Sequence, residues 1–199
     1  MSAQEVNDFF DTYVYGFILT DVEREIAFAK QGLEIEGDNR FYSGGGNFLC
    51  ALGLLCYTEF MGAIYLGTFN KPSRTLFDAF FHLMGPGYKA FDERLSEKGL
   101  SVYKVFRCKM VHEYFIKESG VISMVSGNVH HHLTIEGDEF TLEPGATSSY
   151  MGPAQQGIGI LRDGRYFFVV EQYYKDFVET CCKVHNEILS RPNPSIPKG

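Results

Sequence analysis

These 199 residues contain no tryptophan, no CxxC pair, no HExxH and no Lys-Ser/Thr after their single glycine triplet. Without CxxC or HExxH, the common zinc signatures are excluded. Without Lys-Ser/Thr, Gly44-Gly45-Gly46 is not a P-loop, and no strand with GxGxxG spacing supports a dinucleotide site. The triplet reads as a loop. Positive charge is scarce as well: 18 Lys and Arg against 25 Asp and Glu leave a net charge of -7. Broad nucleic-acid binding needs many Lys and Arg to neutralise phosphates, so only a small local site is compatible with this balance. The N-terminus, MSAQEVNDFF, lacks a basic lead into an apolar run and does not read as a signal peptide. Five cysteines (Cys50, Cys56, Cys108, Cys181, Cys182) are an odd number with one adjacent pair. They fit free thiols in a reducing compartment better than a disulfide framework, and the expected location is cytoplasmic. There is no internal repeat and no low-complexity block.

What is present is an ordinary globular composition, 45% apolar and 22% charged, with 18 Phe and 12 Tyr to fill a core. The length suits a single domain over residues 1–190 with a loose tail over 191–199. Residues 3–32 carry Val6, Phe9, Phe10, Tyr13, Val14, Phe17 and Ile18 at helical spacing. Thr20-Asp21 could open a second piece, and Gly32 is a natural stop. Phe48 to Gly67 is almost wholly apolar and long enough to span a bilayer. Glu59 within it and the missing basic flank favour a central core helix and no membrane association. Lys71-Pro72-Ser73 starts a third helix, Tyr88 to Lys98 forms a short one, and Leu100 to Lys117 another, closed by Gly120.

After Gly120 short runs between glycines read as strands, with an Asp-Gly hairpin turn at Arg162-Asp163-Gly164-Arg165. Tyr173 to Leu189 returns to helix, with Phe177, Cys181 and Val184 facing inward. The expected architecture is mainly α: an antiparallel helical bundle with a small antiparallel β-sheet, about residues 121–171, inserted before the last helix.

The helix over 100–117 breaks its own pattern. Tyr103, Phe106, Met110, Val111 and Tyr114 project as one apolar arc, and Arg107 falls near its middle. A guanidinium is costly to bury alone, so it calls for a carboxylate, a phosphate or a wet pocket. Asp21, Glu25 and Glu59 are the candidate carboxylates if its role is structural. His112 lies roughly 140° further round and about 7.5 Å along an α-helix. A site using both therefore needs a groove beside the helix or a second chain. Cys108 lies one turn before His112, which makes a thiolate pair a further candidate. In His130-His131-His132, His130 and His132 would share a strand face and could ligate a metal, although further ligands are lacking and surface histidines suffice.

Arg107, four intervening residues and then His112, in FRCKMVHEYF, resemble the Arg-x4-His motif of the HEPN superfamily, in particular prokaryotic-type members. The resemblance extends over roughly residues 5–120 and the final helix, in the order of helices and the apolar second helix. It implies a HEPN-like bundle in which Arg107 and His112 form a metal-independent ribonuclease site in a homodimer cleft. Lys104 and Lys109 would be ancillary substrate contacts, with RNA or a nucleotide as ligand and no cofactor or metal. The alternative implied by the same family is a non-catalytic module that binds a nucleotide or a protein partner.

Overall fold

A computed structural model of the chain describes residues 1–31, 33–34, 41–42, 46–113, 121–123, 132–136, 139–143, 156–161 and 166–197. It is mainly helical, with the sheet ahead of the C-terminal helix. Helix α1 runs unbroken over residues 3–31 as Ala3–Phe9, a π-helical stretch Phe10–Leu19, and Thr20–Gln31. Ser2 caps it: its hydroxyl accepts from the Glu5 amide while the Glu5 carboxylate accepts from the Ser2 amide, a capping box. No second start occurs at Thr20, whose backbone stays α-helical (φ −62°, ψ −40°).

The π winding has a visible cause in the burial pattern. Val6, Phe10, Val14, Ile18, Val22 and Ile26 are buried, one every four residues. On a regular α-helix a four-residue period drifts by about 40° each step, so the stripe would spiral off the core. The wider i→i+5 turns slow that rotation and hold the stripe inward. Two aromatics expected in the apolar face, Tyr13 and Phe17, are left 56% and 62% exposed as a result.

Helix α2 (Asn47–Leu66) is the apolar segment, ended by Gly67 in the left-handed region at φ 69°. It is the one helix among the described residues long and apolar enough to cross a membrane, with half of that window buried inside the fold. It packs against α1, against α3 (Ser73–Phe81) and against α6 (Val170–Ser190). Gly62 permits the closest of these approaches: a Cβ there would lie 1.7 Å from the Leu76 carbonyl oxygen. After α3 a 3₁₀ turn, His82–Met84, leads to Gly85 (φ 150°, ψ 168°), and the chain reverses into α4 (Pro86–Glu97). Helix α5 covers residues 102–113, first as π-helix Tyr103–Cys108 and then as α-helix Lys109–Glu113. Its continuation to residue 117 falls outside the described residues.

Two short strands, β1 (Leu33–Glu34) and β2 (Phe41–Tyr42), form a small antiparallel pair. The larger sheet has the order β3 (Val121–Ser123), β7 (Tyr166–Val169), β6 (Ile158–Leu161), β5 (Glu139–Glu143), β4 (His132–Glu136). Its successive strand pairs, β4–β5 and β6–β7, are antiparallel as expected. The remaining neighbours, β3–β7 and β5–β6, are parallel, because those strands are brought together by longer connections. The Arg162–Arg165 turn and the glycine triplet's first two residues lie outside the described residues.

All four residues of β7 are buried, and the strand passes directly into α6. The inner face of α6 is Tyr173, Phe177, Cys181, Val184 and Ile188, which extends the expected set. Tyr173 shares a buried hydrogen bond with Thr58 of α2, 2.9 Å. Tyr88 of α4 donates to Asp176 of α6 and accepts from the Gly157 amide at 2.8 Å, joining three parts of the chain at one hydroxyl. Beyond α6 the chain is anchored over its described residues. Arg191 donates to the Tyr65 carbonyl at 2.8 Å, and Ile196 is buried in the core.

Candidate functional site around Arg107

Helix α5 carries the pair that the sequence singles out. Its buried residues are Val102, Val105, Phe106 and Met110, with Phe106 set edge-on against Tyr166 at 5.5 Å between ring centroids. The inner face thus repeats every four residues at 102, 106 and 110, the spacing that a π turn keeps in line. Arg107 borders this face rather than occupying its middle. Val111, placed in the apolar arc by the sequence, is 37% exposed.

Arg107 Nε donates to Glu59 Oε2 at 3.1 Å, and the two side chains are 21% and 18% exposed. Of the three candidate carboxylates it is Glu59 that pairs with Arg107, while Asp21 accepts from the Tyr57 hydroxyl at 2.9 Å and Glu25 is exposed on α1. Glu59 is polar in an otherwise apolar helix because it faces this guanidinium. Cys56 and Tyr103 complete the surroundings. Burial pushes the Cys56 thiol up, Arg107 pulls it down and Glu59 raises it. Burial likewise raises the Tyr103 hydroxyl, against a hydrogen bond with Ser73, and the charge of Glu59 adds to the rise.

His112 and Lys104 are exposed, and Cys108 and Lys109 are half-buried. The π turn through Cys108 winds less than 100° per residue, so the angle between Arg107 and His112 is smaller than a straight α-helical projection gives. The structure therefore puts both residues on one helix, with Arg107 at the edge of the core and His112 in solvent. His130 and His131 lie outside the described residues, and His132 is described only as the first residue of β4.

A second cluster lies outside the residues that the sequence singles out. Asp78 in the last turn of α3, His82 just after it and Asp92 in α4 have potential ligand atoms within 4.8 Å of one another. The legible signal was Asp-x3-His, one turn apart on one helical face. His82 Nε2 lies 3.0 Å from Asp92 Oδ2, and Asp92 Oδ1 accepts the Val102 amide at 2.8 Å, holding the start of α5. Burial works to raise the Asp92 carboxyl, but the His82 hydrogen bond and the Val102 N–H outweigh it and hold it below the ordinary aspartate value. Asp78 moves the other way, raised by burial and by the charge of Asp92, with Arg74 and His82 opposing.

The lowered Asp92 binds protons more weakly in the fold than in the unfolded chain. Its stabilisation is present above the unfolded aspartate pKa and is lost as pH falls through the lower folded value. Asp78 has the opposite sign, as does Asp176, which burial also raises, so the two offset part of the contribution of Asp92 to the acid limb. Asp92→Asn is expected to cost about 1–3 kcal/mol at pH 7, the range for losing hydrogen bonds to a charged buried group. It should also flatten the loss of stability below the ordinary aspartate range. Urea midpoints across the acid range test this; an unchanged acid limb in the variant would contradict the assignment.

Comparison of the chain with protein-family models, curated proteins and solved structures finds no match to any of them.

Proposed function

We propose that the chain is a HEPN-like ribonuclease that needs no metal for cleavage, with His112 moving the proton of a ribose 2′-hydroxyl and Arg107 clamping the phosphate. The observation that carries this reading is the guanidinium held through Nε by Glu59, at the core's edge and still reached by solvent. A bond through Nε fixes the plane of the fork while the group keeps further donors for a phosphate. The exposed imidazole of His112 has a ring nitrogen that can accept a proton and give it back, as acid–base work requires. Lys104, exposed on the same helix, and Lys109 supply ancillary phosphate contacts. A two-fold homodimer would bring two Arg107/His112 sets into one cleft, which answers the angular separation along a single helix.

The same ion pair also favours a second reading. Glu59 neutralises Arg107 within its own chain, as in a structural pair, and the domain is then a non-catalytic module for a nucleotide or a protein partner. Single-stranded RNA incubated with excess chelator discriminates the two. Cleavage by the native chain that disappears in His112→Ala supports the ribonuclease. Equal cleavage by both, or none by the native chain with or without chelator, rejects it and leaves the binding module.

A further inference from the structure

We propose that Asp78, His82 and Asp92 bind one divalent first-row transition-metal ion, through one imidazole nitrogen and two carboxylate oxygens. Three observations converge on it. The three potential ligand atoms lie within 4.8 Å of one another, across α3, the 3₁₀ turn and α4. In first-row sites with bonds of roughly 2.0–2.2 Å, neighbouring ligand atoms are about 3–3.5 Å apart. The 3.0 Å between His82 Nε2 and Asp92 Oδ2 has that dimension, and the ion would displace to solvent the proton that His82 shares with Asp92 there.

Asp78 supplies the second observation. Its Oδ1 is sealed from solvent and has no hydrogen-bond partner. A buried carboxylate oxygen without a donor is costly, and a cation satisfies it where no N–H is within reach. Arg74 meets only the other oxygen, Oδ2, at 3.3 Å, and is itself more than half exposed. The third observation is the support behind the ligands. Asp92 is 4% exposed and its Oδ1 is committed to the Val102 amide, which orients Oδ2 toward His82. Outer contacts of this kind fix the direction of a ligating carboxylate. Asp78 and His82 are partly exposed, 22% and 32% at the side chain, so an ion has a route in from solvent and water can complete its shell.

The donor set selects the class of metal. One imidazole with two carboxylates suits Mn²⁺, Fe²⁺ or Zn²⁺, whereas Mg²⁺ and Ca²⁺ prefer oxygen alone. Two aspartates also offset the metal's charge and turn their mutual repulsion into attraction. The ion would join α3, α4 and, through Asp92, the first amide of the helix that bears Arg107. Its place is therefore structural, apart from the cleavage chemistry, and its failure would leave the ribonuclease reading untouched.

Mn²⁺ is the probe, because thiols compete for it less than for Zn²⁺ and the free ion is read directly by electron paramagnetic resonance. Titration of the chelator-treated, dialysed full chain should show one saturable site per chain. Asp78→Asn keeps the shape of the side chain but not its charge, and should weaken Mn²⁺ binding at least about tenfold, a loss of the size seen on disturbing a metal's surroundings. Mn²⁺ should raise the thermal midpoint of the native chain and leave that of Asp78→Asn unchanged, since only a folded-state ligand stabilises. His82→Ala is the second variant, should Asp78→Asn fail to fold, and should lose binding likewise. A paired His130→Ala/His132→Ala variant should bind as the native chain does. The proposal is overturned by the absence of a saturable site, by unchanged affinity in the Asp78 and His82 variants, or by loss of the site in the His130/His132 variant.

Discussion

Arg107→Ala is expected to lower the stability of the fold by about 3 kcal/mol, the lower end of the range for removing one partner of a buried ion pair. The lower end applies because Arg107 and Glu59 keep 21% and 18% exposure, so water still reaches both charges. The loss comes from Glu59, which remains in an apolar helix with its Arg107 partner gone. Removing both charges should therefore hurt less than removing one. In Glu59→Leu/Arg107→Met the site becomes apolar at similar volume, and most of the lost stability should return. Urea unfolding with a constant denaturant slope gives the comparison. RNA cleavage tests the phosphate-clamp role proposed for Arg107: on that proposal the double variant should be stable and inactive. A stable double variant that still cleaves would show that Arg107 serves the fold alone.

Phe81→Ala should cost about 3–5 kcal/mol, the range for emptying a buried phenylalanine site. Phe81 is fully buried at the meeting point of α3, α4 and α6. Its ring stacks on Phe77 at 5.3 Å, stands edge-on to Tyr88 at 5.2 Å and lies 6.5 Å from Tyr173. The cavity would be walled by rings whose hydroxyls are already engaged, Tyr88 with Asp176 and Tyr173 with Thr58, so little collapse can fill it. For a chain of this length the thermal midpoint should fall by roughly 10 °C. Phe17→Ala is the control. At 62% exposure it should stay within about 0.5 kcal/mol, the usual range for a surface change. A Phe17→Ala penalty as large as that of Phe81→Ala would mean that Phe17 is covered in solution.

The contrast between these two phenylalanines shows where reading along the chain stops. Both sit in helical segments at apolar spacing, and periodicity treats them alike. Their fates diverge because α1 widens into a π-helix across Phe10–Leu19, which keeps the every-fourth stripe inward and turns Tyr13 and Phe17 out. The same effect moves Arg107 from the middle of an apolar arc to the edge of the core. An angular step of 100° per residue is a property of a regular helix, and a change of winding leaves no mark in composition.

The local structure was legible along the chain: the helical stretches, the helix start after Pro72, the late strands, the core face of α6, and Arg107 as a charge that needed an answering group. These follow from neighbours in the chain, through periodicity, backbone freedom and the cost of burying a charge. Tertiary structure alone decided that the answer is Glu59 rather than Asp21 or Glu25. It also decided which aromatics are covered, which strands run parallel, and that Asp78, His82 and Asp92 converge. Each of these depends on how separate helices and strands meet, and a distance across that packing is set by the whole fold.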